Sequence, residues 1–175
     1  MLEQNIKNAI RNVADFPKPG IMFKDIAPIL EDPALCRNIV DGFIERLSKQ
    51  KVDIILGIES RGFIFGMMLA NKLNVPFVLV RKAGKLPSKV IQFAYDLEYG
   101  KAIVEMQVDS IKKGQNVLIH DDLLATGGTA AAAAELVKMQ SGNTIGFAFV
   151  VELAFLGGKD KLKKYSENII SLVNY

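Results

Sequence analysis

The chain has 175 residues, half of them apolar, and a formal charge of +3 from 22 basic and 19 acidic residues. That length and apolar share fit one domain with a sizeable core, and the excess charge is too small and too dispersed to form a nucleic-acid-binding stripe. Cys36 is the only cysteine and His120 the only histidine, which excludes an internal disulfide, all but excludes a Cys/His zinc site, and makes a reducing cytoplasm the expected location.

In chain order, Leu2, Ile6, Ile10 and Val13 fall on one helical face, so the opening segment MLEQNIKNAIRNV predicts an amphipathic helix and holds no apolar signal core. A second helix begins where Asp32 supplies a cap and Pro33 a first-turn residue, and it continues through Leu35, Ile39, Val40, Phe43, Ile44 and Leu47. Cys36 lies on its apolar face and reads as packing. Six short apolar runs then predict strands: VDIILGI, PFVLVRK, AIVEMQV, NVLIH, TIGFAFVVEL and NIISLV. Several are separated by helical stretches, one of them containing the AAAAA after Thr129, so the expected fold class is α/β, a mainly parallel twisted sheet flanked by helices. His120 alternates with Leu118 and reads as structural. The longest apolar stretch, IGFAFVVELAFL, is broken by Glu152 and too short to cross a bilayer, so no membrane partner is expected. Residues 83–100, AGKLPSKVIQFAYDLEYG, are polar and interrupt the strand pattern, as a mobile lid would.

In an open parallel sheet, ligands sit at the carboxyl ends of strands, which brings the loops after VDIILGI and NVLIH together. The second of these reads HDDLLATGGT and sets two acids beside a glycine-rich turn that opens a helix. Backbone amides in such a turn attract phosphate, whereas carboxylates repel it. A phosphorylated sugar satisfies both, with its phosphate in the loop near the Thr126 and Thr129 hydroxyls and its diol on Asp121 and Asp122. The P-loop pattern is absent, because no Gly-Lys-Ser/Thr closes the turn. The alternative for the acids is a solvated strand-to-helix turn, and for Arg81 and Lys85 a solvated basic edge.

The stretch VLIHDDLLATGGTA resembles the phosphoribosyl-diphosphate (PRPP) signature of the type I phosphoribosyltransferases. FPKPGIMFKDI (Phe16–Ile26), GIESRGFIFG (Gly57–Gly66) and the segments VRKAGKLP and YDLEYG (within Val80–Gly100) are similar to the adenine phosphoribosyltransferase family within that class, in the family's order and over most of the chain. The resemblance implies that one domain of the type I fold spans residues 1–175, with a base-side N-terminal segment of about 1–30 and a lid of about 83–100. It implies transfer of the 5-phosphoribosyl group from PRPP to adenine, giving AMP and diphosphate, in purine salvage. Ala125, Thr126, Gly127, Gly128 and Thr129 would enclose the 5-phosphate, and Asp121 and Asp122 would serve the ribose. Ser60, Arg61, Arg81, Lys85 and Tyr99 would hold diphosphate, and Met22, Phe23 and Lys24 would meet adenine or the substrates. Lys24 stands where the family more often has arginine, and a lysine lacks the planar fork of that residue. Glu98 would act on the purine proton, with Tyr95 and Asp96 as neighbouring candidates. Mg²⁺, bound through the substrate with Asp121 and Asp122 as candidate protein contacts, is the implied cofactor, and a homodimer the implied assembly. Two rival readings are a regulator that only senses PRPP and an enzyme of the same fold acting on a pyrimidine or xanthine.

Overall fold

The computed structural model describes residues 1–47, 50–96 and 100–175. Its strands are β1 (Arg11–Ala14), β2 (Met22–Asp25), β3 (Ile54–Ile58), β4 (Phe77–Lys82), β5 (Val90–Asp96), β6 (Lys101–Gln107), β7 (Asn116–Leu124), β8 (Asn143–Glu152) and β9 (Ile169–Asn174). The helices are α1 (Leu2–Ala9), α2 (Ala27–Leu30), α3 (Pro33–Leu47), α4 (Gly62–Leu73), α5 (Gly128–Met139) and α6 (Gly158–Leu162). Seven strands form one sheet in the order β5-β6-β4-β3-β7-β8-β9, while β1 and β2 pair as a separate antiparallel ribbon. From β4 through β3, β7 and β8 to β9 every pairing is parallel, while at the other edge β6 runs antiparallel to both its neighbours, β4 and β5.

Two apolar cores cover the sheet, as strands buried on both faces require. One gathers α1, α2, α3 and α4 around Ile6, Ile39, Phe43, Phe65 and Leu118; the other seats α5 on Leu56, Val80, Ile119 and Phe147. The five alanines at Ala130–Ala134 are all buried, and their small side chains let α5 lie close to the strands beneath. Asp32 caps α3 as its position predicts, its Oδ1 accepting the amides of Ala34 at 2.9 Å and Leu35 at 3.0 Å. Cys36 is buried on that helix, with its thiol donating to the Ile29 carbonyl. His120 is wholly buried, edge-on to Phe43, and burial pushes its imidazole down to about 3 against a smaller opposing pull from the Ala148 backbone. It is a neutral core residue. No helix among the described residues is long and apolar enough to cross a membrane.

Two elements differ from the sequence-based expectation. The opening helix stops at Ala9, and Val13 lies in β1 opposite Phe23 rather than on the helical face. Ile10 takes extended backbone at the helix end, and the chain is held by pairing with β2. Tertiary pairing here overrides a periodicity that continues for one more turn. The segment 83–100 also contains regular structure, because Val90–Asp96 pairs along its whole length with β6. Its alternation of Ile91, Phe93 and Tyr95 with exposed Gln92, Ala94 and Asp96 is the period of an edge strand with one covered face.

Candidate active site

β7 is longer than its apolar run and carries Asp121 and Asp122 within its last turns of pairing, Asp121 opposite Phe149 of β8. The chain then passes through Ala125 and Thr126 to Gly127, whose φ of +75° is the left-handed conformation that favours glycine, and enters α5. The first amides of α5 point into this turn without partners in the helix, and the helix dipole adds partial positive charge. Together they form a concavity of about 80 Å³ lined by Asp121, Phe149 and the loop from Ala125 to Thr129. A roomier surface groove of about 470 Å³ lies between α3 and α4, lined by Arg37, Val40, Asp41, Met67, Met68 and Lys72, and holds none of the loop residues.

The loop is braced from behind by α6. A Cβ placed on Gly127 would stand 2.7 Å from the Gly158 carbonyl oxygen, and one on Gly158 would fall 2.2 Å from the Ala125 carbonyl oxygen. The two backbones touch. If this loop encloses a 5-phosphate, as the sequence resemblance implies, Gly158→Ala should push it out of shape and weaken AMP by about tenfold or more, since a displacement of about 1 Å is costly in a preorganised site. Calorimetry with AMP, alongside thermal unfolding to monitor the fold, checks this outcome.

Burial, and then the neighbouring Asp122 charge, push the Asp121 carboxyl well above the usual carboxylate range. Its Oδ1 accepts the Asp122 amide at 2.9 Å. Asp122 is buried and its Oδ2 meets Arg61 Nε at 2.6 Å, so among the described residues the pair has one close cation for two acids. Arg61 follows Ser60 in the turn between β3 and α4, next to a cis peptide joining Glu59 and Ser60. At Gly62 a side chain would stand 2.9 Å from both Asp121 Oδ1 and the His120 carbonyl oxygen, which is why this turn can approach β7 so closely. Arg61 also lies with its guanidinium carbon 5.4 Å from the centroid of the Phe23 ring. One side chain thus links the acid pair to the β1–β2 ribbon.

On that ribbon Phe23 is met edge-to-face by Phe16 at 5.1 Å, and Met22 is half exposed beside it. Lys24 donates to Asn12 Oδ1 at 2.7 Å and sits 3.9 Å over the ring of Tyr175. Its ammonium is held between the ribbon and the chain's last residue.

Arg81 and Lys85 come together on one carboxylate. Glu59 Oε1 accepts from Arg81 Nη2 and from Lys85 Nζ, each at 3.0 Å, while its Oε2 accepts the Lys82 amide at 3.0 Å. Burial alone would raise the Glu59 carboxyl, but these donors outweigh it and hold it at about 2. Glu105, which is buried where Glu59 is only partly so, accepts the amides of Lys85 and Leu86 at 2.8 Å each and Gln92 Nε2 at 3.0 Å. The Leu86 amide leads in lowering it to about 2, against the opposing effect of burial. Glu59 and Glu105 were not singled out from the sequence. Their signal was an acid inside or at the end of an apolar strand run, a position that burial forbids unless donors surround it. Glu98 and Tyr99 lie outside the described residues. Tyr95 turns its hydroxyl to Thr129 in the phosphate-type loop, and Asp96 is exposed on the opposite face of β5.

A seven-stranded α/β sheet with an acid pair and a glycine turn at the end of an inner strand is the architecture of a phosphoribosyl-transferase-type domain. Residues 27–173 match the phosphoribosyl transferase domain. The chain is 48% identical to the adenine phosphoribosyltransferase of Cytophaga hutchinsonii over 175 residues, covering all of this chain and 97% of the relative. The crystal structure of adenine phosphoribosyltransferase from Thermoanaerobacter pseudethanolicus superposes with a TM-score of 0.96 at 45% identity, over the whole of both chains. That of the Saccharomyces cerevisiae enzyme, complexed with D-2,5-dideoxy-2,5-imino-altritol 1,6-bisphosphate and adenine, superposes with a TM-score of 0.92 at 43% identity over 98% of each chain. The chain belongs to the adenine phosphoribosyltransferase family.

Proposed function

We propose that the protein transfers the 5-phosphoribosyl group of PRPP to adenine, forming AMP and diphosphate in purine salvage. The observation that carries this reading is the continuity of Asp121 and Asp122 with the loop at Ala125–Thr129, joined through Arg61 to the Phe23 ring. A ribose bound by the acids has its 5-phosphate at the loop on one side and its anomeric carbon toward the aromatic ribbon on the other. Phe23 would stack on the purine, and the Met22 backbone would pair with its edge, offering a carbonyl to the exocyclic amine and an amide to the adjacent ring nitrogen. Hypoxanthine presents the reverse pattern, and a site left with unpaired polar groups can reject it by about ten-thousandfold.

In the reaction the bond from the anomeric carbon to diphosphate breaks, the purine ring nitrogen forms the new bond, and that nitrogen loses its proton. Ser60, Arg61, Arg81, Lys85 and Tyr99 are assigned to the departing diphosphate. Arg81 and Lys85 are already gathered by Glu59, so diphosphate meets two cations held in one place. Glu98 is assigned to the purine proton, and residues 83–100, which include β5, to covering the site against water.

The acid pair fits a divalent cation carried by the substrate, because one arginine faces two carboxylates and burial leaves Asp121 short of a counter-charge. Among the described residues no group of three or more His, Cys, Asp or Glu side chains is placed to hold a metal. Mg²⁺ in that position would neutralise charge developing on the leaving group. A cytoplasmic homodimer completes the reading.

The test is an assay of the protein with PRPP and Mg²⁺ against each nucleobase, reading out nucleotide and diphosphate. Turnover confined to adenine is the expected result. PRPP binding without turnover on any base would favour the sensor, and preference for xanthine or a pyrimidine would reassign the substrate.

A further inference from the structure

Tyr95 projects from β5 toward α5, half-buried against the second core, while its strand neighbours Ala94 and Asp96 are exposed. Its hydroxyl lies 2.9 Å from Thr129 Oγ1. Its ring lies along the backbone of Gly128, since a Cβ built there would be 3.5 Å from both ring Cδ2 and Cε2. Tyr95 is thus packed on the two residues with which α5 begins, although it comes from a strand more than thirty positions away.

We propose that Tyr95 is a positioning residue of the 5-phosphate site, fixing the rotamer and the proton direction of the Thr129 hydroxyl. The inference rests on the assignment of residues 125–129 to the 5-phosphate. A threonine hydroxyl carries one proton to donate and two lone pairs to accept, and so does a phenol in kind. Between Tyr95 and Thr129 alone, either oxygen can be the donor. A phosphate changes that, because its oxygens beside the loop are acceptors. Thr129 must donate to the phosphate, which leaves only its lone pairs for Tyr95, and the phenol must then donate to Thr129. The chain runs one way, from the Tyr95 O–H to Thr129 and from the Thr129 O–H to phosphate, and each bond polarises the next. Rigid packing of the ring on Gly128 keeps the phenol in place before the ligand arrives.

This arrangement separates the phosphate from the base in a measurable way. Tyr95→Phe keeps the ring and removes only the hydroxyl. It is expected to weaken AMP and ribose 5-phosphate by the same factor, about three- to tenfold for one neutral hydrogen bond in such a chain, and to leave adenine unchanged. Thr129→Val, which keeps the shape and removes the other hydroxyl, should weaken the same two ligands, and adding Tyr95→Phe to it should cost nothing further. Calorimetry with AMP, ribose 5-phosphate and adenine on the wild type, both single variants and the double variant reads all of this, with thermal unfolding as the check on folding. Unchanged phosphate-ligand affinity in Tyr95→Phe, an equal loss for adenine, or additive losses in the double variant would each overturn the proposal. A wild type that binds neither AMP nor ribose 5-phosphate would overturn the loop assignment itself, and the proposal with it.

Discussion

The double variant Asp121→Asn/Asp122→Asn is expected to fold and to lose PRPP. Asparagine matches the shape of aspartate, and at position 121 it also matches the neutral form toward which burial and the Asp122 charge already drive the carboxyl. Removing Asp122 frees Arg61, which is 41% exposed and can turn its guanidinium to water rather than remain a buried unpaired charge. The fold therefore loses little. The ligand loses the Asp122 charge as an acceptor for its diol, the hydrogen bond to the Asp121 carboxyl, and the negative potential that a substrate-borne cation would meet. A hydrogen bond to a charged group contributes about 1.5–3 kcal/mol and a neutral one about 0.5–1.5 kcal/mol, so the two give a loss of about thirty- to two-thousandfold in PRPP affinity. Calorimetric titration with PRPP and Mg²⁺ checks this, beside an unfolding curve. Wild-type affinity in the folded double variant would remove the acids from the site.

Glu98→Gln is expected to slow the chemical step while leaving both substrates bound. The purine nitrogen that attacks carries a proton, and something must take it as the new bond forms. His120 is excluded by its position, since it is buried in the core and held neutral. Tyr95 is occupied with Thr129, and Asp96 lies on the exposed face of β5. General-base assistance is typically worth about a hundred- to ten-thousandfold, and that is the drop expected in the single-turnover rate. Glu98→Asp, one methylene shorter, should recover little. An unchanged chemical step in Glu98→Gln would leave the 83–100 segment with water exclusion as its role.

What the sequence revealed and what it hid follow from the range over which each signal acts. The acid pair and ATGGT loop were legible because turn chemistry is local: glycine where φ must be positive, hydroxyls beside it, and a helix start immediately after. The central strands were legible because strands buried on both faces need unbroken apolar runs. Val13 misled because Leu2 and Ile6 belong to a helix and Ile10 continues their spacing, and only the partner strand, nine or more residues on, draws the chain into a ribbon. β5 was hidden by its polar neighbours, although VIQFAYD alternates as an edge strand should. The arrangement around Glu59 was invisible for a different reason. Arg81 and Lys85 are assigned to an anion by the resemblance alone, and the acid that gathers them follows the end of β3, over twenty residues earlier. Lys24 shows the same limit, since nothing near it in the sequence points to the ring of Tyr175.

The most direct test of the account is a comparison of AMP, ribose 5-phosphate and adenosine binding to the wild-type protein by calorimetry. If the loop from Ala125 to Thr129 holds the 5-phosphate and Asp121 and Asp122 hold the ribose, AMP binds tightly, ribose 5-phosphate binds through the same loop, and adenosine is weaker than AMP by about a hundredfold or more, as loss of several charge-assisted hydrogen bonds requires. Adenosine binding as tightly as AMP, with no detectable binding of ribose 5-phosphate, would contradict it.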